Sequence, residues 1–476
     1  MNYRTKRFSL IIVIFAAIII ILAGCRDVDD TETSDSGELE VSIYGDESYE
    51  RAGIGNILGV PKGVEVRLDT GSSALESLEI DDEEIEVPET DRMYVEYFTP
   101  ATVDNYGKQN MAETLFDTED GIYVYDYSNR VKSDVQSDID YCEKLLEAAE
   151  ENGDSEDITY YEYYLRQLYQ ELEDAGNGRE AAGDYSADAF LGTMDDLQYI
   201  LRIYNGDEKT GFMGISFMLT LYSDELMIRP YSGALVAATN WGDYSLYEDE
   251  NQSEMTVDEA ELIARDFISE FGITDISLTE TSVLIWEYMD SDDTVTNYEV
   301  DGYMFEFSKT INSVEIYKGN VDYADNLQVN DATFSVPVET YRITVYDGKV
   351  IGAYWTQISS SFNDEEAVEL LSFDEILASV NENAGAYYEK YPTMYSRVEF
   401  NDVRLSYFAV SDDDKTYKYI PVWLFLQYDE ISSSTDYGYE KDGALYPEQF
   451  MAVNAETGEI IDVIENAKNM GLYFEE

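Results

Sequence analysis

The chain has 476 residues, of which 101 are acidic and 29 are basic, so its formal net charge at pH 7 is −72. Binding to a nucleic-acid backbone requires clusters of Lys and Arg, and this charge therefore argues against nucleic acid as a partner. The sequence contains no histidine, which excludes Ser-His-Asp and Cys-His nucleophile systems and histidine-ligated zinc sites.

The first 40 residues predict a signal peptide, 1–24, followed by a disordered acidic tether, 25–40. Basic residues precede an uncharged apolar run, Phe8–Gly24. The run ends in Leu22-Ala23-Gly24-Cys25, which resembles the lipobox of bacterial lipoproteins. This resemblance implies a lipid on Cys25 and a location on the extracellular face of the cell membrane. A single transmembrane anchor is the alternative, because the run is almost long enough to cross a bilayer.

Residues 41–250 are predicted to form a β-rich N-terminal domain that carries a helical hairpin. Runs such as Val64–Leu68 and Tyr199–Tyr204 alternate in side-chain character with period two, which is typical of strands. Between them the apolar residues adopt helical spacing, which predicts a hairpin over 134–175. The predicted apolar stripes are Ile139, Cys142, Leu146 and Ala149 on the first helix, and Ile158, Tyr161, Leu165, Leu168 and Leu172 on the second.

Two features of this predicted hairpin, a cysteine and a group of tyrosines, could be either structural or functional. Cys142 lies on the apolar stripe, which favours a packed core thiol over a nucleophile. The second helix carries a tyrosine cluster that could bind carbohydrate or protein, although tyrosine is abundant throughout, with 42 in the chain. The cluster consists of Tyr160, Tyr161, Tyr163, Tyr164 and Tyr169.

The segment 78–116 carries Ile80-Asp81, Glu86-Val87-Pro88 and Tyr97-Phe98-Thr99-Pro100. It resembles the N-terminal part of clostridial lipoproteins of unknown function, and the charged helical hairpin that follows also fits that family. No activity is assigned to that family, so the resemblance implies none for this chain.

The C-terminal half is predicted to contain two copies of one helix-plus-sheet unit, 251–362 and 363–476. Each copy opens with a capping box, Thr256 with Glu259 and Ser372 with Glu375. Gly272 is expected to end the first helix. Strands are then predicted at 278–288, 298–307 and 341–355 in the first copy, and at 398–410, 419–428 and 449–464 in the second.

The two copies resemble PepSY-type domains at their start and end. The residues that carry this resemblance are Thr256–Ala260, which open a helix, and Phe450–Val463, which close a hairpin through Thr457-Gly458. Tyr419-Ile420-Pro421-Val422-Trp423 is also similar to the C-terminal domain of the YycH/YycI regulators, which modulate a sensor kinase from outside the membrane. The long N-terminal half and the missing second membrane helix depart from those regulators.

The expected fold class is α+β: antiparallel sheets with packed helices, and two PepSY-like units after the β-rich domain. The leading functional hypothesis is a non-enzymatic surface module that binds an extracellular protein, with no catalytic residue and no cofactor. The alternative is a cell-envelope polysaccharide hydrolase that uses paired carboxylates. A small-molecule binding lipoprotein would require a two-lobed α/β pattern, which this β-rich sequence lacks.

The acidic composition has three interpretations. Solubility and self-repulsion at a crowded surface are the simplest one, and cation binding or a basic protein partner are the alternatives. No segment matches an EF-hand loop, and Asp412-Asp413-Asp414 is typical of a hairpin tip rather than a calcium site. No metal site is therefore predicted.

We expect Cys25→Ala to abolish acylation, because the thiol is the acyl acceptor in a lipobox. The variant should leave the membrane fraction or persist as an uncleaved precursor. Metabolic labelling with palmitate measures this directly, and unchanged labelling would contradict the lipobox interpretation.

Overall fold

The computed structural model describes residues 41–44, 51–68, 71, 75–126, 130–153, 155–206, 214–222, 236–289, 295–317, 320–322, 333–335, 338–390, 397–412, 416–428 and 449–470. The signal peptide, the tether and Cys25 lie outside these residues and stay predictions. The described residues combine helices with sheets whose pairing is almost entirely antiparallel, which confirms the α+β class.

The helices and strands are numbered along the chain. The helices are α1 (Gly53–Ile57), α2 (Asn105–Leu115), α3 (Lys132–Asn152), α4 (Ser155–Asp174), α5 (Tyr244–Tyr247), α6 (Val257–Ser269), α7 (Phe373–Lys390) and α8 (Val463–Asn469). The strands of the first half are β1 (Val41–Tyr44), β2 (Gly63–Leu68), β3 (Ser77–Asp82), β4 (Tyr94–Pro100), β5 (Tyr123–Val124), β6 (Ala189–Met194), β7 (Leu197–Asn205), β8 (Ile215–Leu221) and β9 (Val236–Asp243). Those of the second half are β10 (Ile276–Met289), β11 (Val295–Ile311), β12 (Val314–Glu315), β13 (Asn320–Asp322), β14 (Thr333–Ser335), β15 (Thr340–Tyr346), β16 (Lys349–Ala367), β17 (Arg397–Phe400), β18 (Asp402–Ser411), β19 (Tyr417–Gln427) and β20 (Gln449–Asn454).

One large sheet organises the molecule, in the order β5-β6-β7-β8-β16-β15-β11-β10-β9. We call this part the central sheet. Strand β4 pairs with both β16 and β19, and so joins the β18-β19-β20 strands to it. A smaller sheet has the order β1-β2-β3-β17, in which β17 runs parallel to β3.

Helix α6 covers one side of the central sheet because its apolar residues recur at helical spacing. The predicted capping box is confirmed: the Thr256 amide donates to Glu259 at 3.0 Å, and the Glu259 amide donates to the Thr256 hydroxyl at 3.3 Å. Gly272 ends the helical segment with a φ of 76°. The buried face of α6 packs in one core with side chains of β7, β8, β11, β15 and β16. In this core the indole of Trp355 stacks on Phe217 at 4.0 Å between ring centroids.

The second copy also begins with a capped helix, but its C-terminal end differs from the prediction. Ser372 and Glu375 form the predicted capping box on α7, and the buried face of α7 includes Tyr388 rather than Tyr387. The predicted strand over 449–464 is wrong beyond Asn454. Pairing there is reduced to one bridge, between Val453 and Ile460, because the chain turns and Asp462 caps a helix, α8.

Strand pairing crosses the domain boundaries predicted at 250 and 362. Strand β8 pairs with β16, β9 pairs with β10, and β16 runs without interruption past residue 362. Both helix-plus-sheet segments therefore share one sheet with the N-terminal half.

Helices α3 and α4 occupy the segment of the predicted hairpin and have a core of their own. Their apolar stripes meet in a cluster of buried side chains, and the members of this cluster among the described residues all belong to the hairpin. That cluster contains Val135, Ile139, Cys142, Leu165 and Leu168. The base of the hairpin is attached by the ion pair of Asp134 with Arg179 and by that of Arg130 with Asp138.

We expect Leu165→Ala to destabilise the hairpin by about 2–5 kcal/mol, because it leaves a cavity in the small core between α3 and α4. Hydrogen–deuterium exchange should show lost protection in α3 and α4 and unchanged protection in β10 and β11. Tyr163→Ala is the matched control, since its side chain is 55% exposed. Equal protection in Leu165→Ala and the wild type would contradict this packing.

Candidate binding face of the central sheet

One side of the central sheet is packed against α6 and the other is partly open to solvent. Along β7, β8, β15 and β16, buried side chains alternate with half-exposed ones, as expected when an antiparallel sheet packs on one side only. We call the second side the open face. Its half-exposed members include Arg202, Met218, Arg342, Thr344 and Tyr354.

Cross-strand register aligns these side chains in a row. Arg202 lies opposite Met218, Met218 opposite Tyr354, and Tyr354 opposite Arg342. Glu306 on β11 extends the row by lying opposite Arg342. Because neighbouring strands lie about 4.8 Å apart, the two arginines stand about 14 Å from each other.

The two arginines have different electrostatic surroundings. Arg342 donates to the buried carboxylate of Glu306 at 2.7 Å, and its guanidinium lies 5.5 Å from the ring centre of Trp241. Arg202 lies 5.7 Å from the ring centre of Tyr125 and forms no ion pair with any carboxylate in the described part of the chain. In a chain with 101 acidic residues, such an arginine offers an uncommitted cation to an incoming acceptor.

The open face can therefore contact a partner through complementary groups. The arginine guanidinium offers a planar fork of donors, and the phenol of Tyr354 and the thioether of Met218 offer apolar and polarisable surface. This row has no local sequence pattern, because it depends on the register between β8 and β16, which are far apart in the chain. The alternation of side chains in Tyr199–Tyr204 does predict part of it, because it places Arg202 on the side of the strand opposite to Leu201 and Ile203.

A buried polar cluster lies where β4, β11, β15 and β16 meet. The amine of Lys309 lies 2.7 Å from a carboxylate oxygen of Glu96 and 3.9 Å from one of Glu339. Glu339 also accepts hydrogen bonds from the Ser359 amide at 2.9 Å and from the Tyr341 phenol at 2.5 Å. Burial, followed by the charge of Glu339, raises the pKa of Tyr341. These carboxylates are bound to an amine and hydroxyls between strands, so the cluster fixes the sheet junction.

A surface hollow of about 400 Å³ lies beside β3 and β17. Arg67 pairs with Glu79 there, and Arg397 pairs with Glu76. These side chains remain 40% to 77% exposed. Glycoside hydrolysis requires a carboxyl group kept protonated by a desolvating environment, and these exposed ion pairs do not provide one.

Cys142 and Asp412 are two further residues that the sequence singles out. Cys142 is buried, as predicted, and its thiol lies 3.7 Å from the Tyr161 carbonyl oxygen. Burial raises the pKa of this thiol, which disfavours the nucleophilic thiolate. Asp412 pairs with Lys418 at 3.1 Å, whereas Asp413 and Asp414 lie outside the described residues.

The described ranges contain neither a cluster of metal-ligating side chains nor a helix that could span a membrane. Within them, no three Cys, Asp or Glu side chains converge in a way that could hold a metal ion. No helix in this part of the chain has both the length and the apolar character required to cross a bilayer.

Comparison with known proteins gives distant structural similarity alone. No family model and no curated protein matches the chain. Among solved structures, it is similar to an uncharacterized protein from Eubacterium rectale, determined by crystallography at 1.45 Å resolution. The identity is 14% and the TM-score is 0.36, and the match covers 87% of this chain and 96% of the other.

We expect Cys142 of the folded, acylated protein to react with a thiol reagent on the order of 100-fold more slowly than an exposed thiol, because labelling requires local opening. Tyr106→Cys combined with Cys142→Ala supplies that exposed thiol, since Tyr106 is 69% exposed. Urea should abolish the difference. Equal rates in the native proteins would contradict a core role for Cys142.

Proposed function

We propose that this chain is an extracytoplasmic lipoprotein that binds another extracellular protein, without catalysis, over the open face of its central sheet. The row from Arg202 through Met218 and Tyr354 to Arg342 carries the proposal. It joins cationic, aromatic and thioether groups on a rigid sheet, and interfaces are enriched in these residue types.

The N-terminal sequence supports the location. The lipobox ending at Cys25 would hold the chain at the outer face of the membrane, and the acidic tether 25–40 would let the folded part reach a partner. A lipid on one cysteine supplies anchoring without a membrane-spanning helix.

The duplicated architecture supports a PepSY-like interpretation of the C-terminal half. In both copies a capped helix precedes antiparallel strands that pair in chain order, β10-β11-β15-β16 and then β18-β19-β20. A buried tryptophan on the sheet lies beneath each helix: Trp355 is 6.3 Å from Phe267, and Trp423 is 4.9 Å from Phe373, between ring centroids. In the central sheet, β8 and β15 alternate buried with more exposed side chains, so the side opposite α6 is available for binding.

A photo-crosslinking amino acid at position 354, introduced in living cells, should give a discrete adduct with the partner. Arg202→Glu in the same chain should reduce that adduct at least about five-fold, because loss of an interface arginine weakens binding by this order. Photo-crosslinking at position 106 is the matched control, because that side chain is exposed elsewhere on the surface.

Two outcomes would contradict the proposal. One is the same set of adducts at positions 354 and 106, which would indicate random encounters. The other is an adduct at position 354 that Arg202→Glu leaves unchanged, since the row would then not act as one surface.

A further inference from the structure

The outer side of α4 carries a second surface, independent of the open face. Tyr160, Tyr163 and Tyr164 are 59%, 55% and 38% exposed, which is unusual for three large side chains on one helix. At 100° per residue they occupy an arc of about 100°. The rings of Tyr160 and Tyr164 stack, with 12° between their planes and 6.3 Å between their centroids. We call these three residues the tyrosine face.

The tyrosine face lies outside the buried core of the hairpin. Helix α4 packs on α3 through its apolar stripe, to which Leu165 and Leu168 contribute. Tyr169 lies about half a turn away from Tyr160 and donates to Glu143 of α3 at 2.6 Å. The three outward rings are exposed and are not members of the buried hairpin cluster, and a contiguous exposed aromatic group is typical of an interaction site.

The charge around these rings specifies the partner. The sequences of α3 and α4 together contain thirteen acidic and three basic residues. Arg166, the single basic residue of α4, donates its Nε to the Glu162 carbonyl. Rings that present a negative π surface among carboxylates attract cations, and a guanidinium is favoured because it stacks flat on an aromatic ring.

We propose that the tyrosine face binds an arginine-rich segment of a cationic protein. Arginines of the partner would stack on Tyr160, Tyr163 and Tyr164 while the carboxylates of the hairpin balance their charge. This surface lies on the hairpin, so its failure would leave the proposal for the open face intact.

The test uses the full acylated protein in an uncharged detergent at physiological ionic strength. The probes are a fluorescent peptide of alternating Arg and Gly and a matched peptide with Lys in place of Arg. The test variant combines Tyr160→Ser, Tyr163→Ser and Tyr164→Ser. The control combines Tyr106→Ser and Tyr204→Ser, two exposed tyrosines located elsewhere. Neither set changes the net charge, so bulk electrostatic attraction is held constant.

We expect the wild type to bind the Arg peptide more tightly than the Lys peptide. The triple variant should bind the Arg peptide about tenfold or more weakly and lose the preference for Arg. The control should stay within about twofold of the wild type. Unchanged Arg-peptide binding by the triple variant would overturn the proposal. So would tyrosine-dependent binding of a neutral oligosaccharide without tyrosine-dependent binding of the Arg peptide, which would assign the face to carbohydrate.

Discussion

Strand β4 is the constraint on which the rest of the structure depends. Its residue Phe98 pairs with Ser361 on β16 and with Tyr417 on β19, so one strand joins the two helix-plus-sheet copies. The ring of Phe98 stacks on Tyr419 at 4.1 Å, and Lys309 lies beside Glu96 of the same strand. Separation of the copies would break one of these two ladders. If β4 left with the second copy, Lys309 and Glu96 would also lose each other as partners, which is strongly destabilising for partly buried charges.

This junction determines which surfaces are available for binding. Strand β4 joins the two copies into one sheet, and α6 packs on one side of β7, β8, β15 and β16. The opposite side of those strands therefore keeps its row of half-exposed residues on a rigid support. The hairpin lies outside that arrangement, since α3 and α4 bury their stripes against each other. The sheet can therefore present one face, which carries Arg202 and Arg342, while the hairpin presents another among many carboxylates.

Local features were predictable because neighbouring residues determine them. Residue spacing alone predicts the capping boxes at Thr256 and Ser372 and the end of the helical segment at Gly272. It also predicts the apolar stripes that bury Cys142. The role of β4 and the row through Arg202 were not predictable, since pairing between strands hundreds of residues apart leaves no local pattern. The end of the second copy was mispredicted because Val463 and Ile464 suit a strand as well as the capped helix they form.

The measurement that tests this account most directly is native-state hydrogen exchange in increasing urea, which compares β11 of the first copy with β19 of the second. If β4 makes the two copies one cooperative unit, the free energies of opening for both strands should converge on one global value as urea rises. Exchange of β19 at its own lower free energy over the whole urea range, while β11 stays protected, would contradict the account.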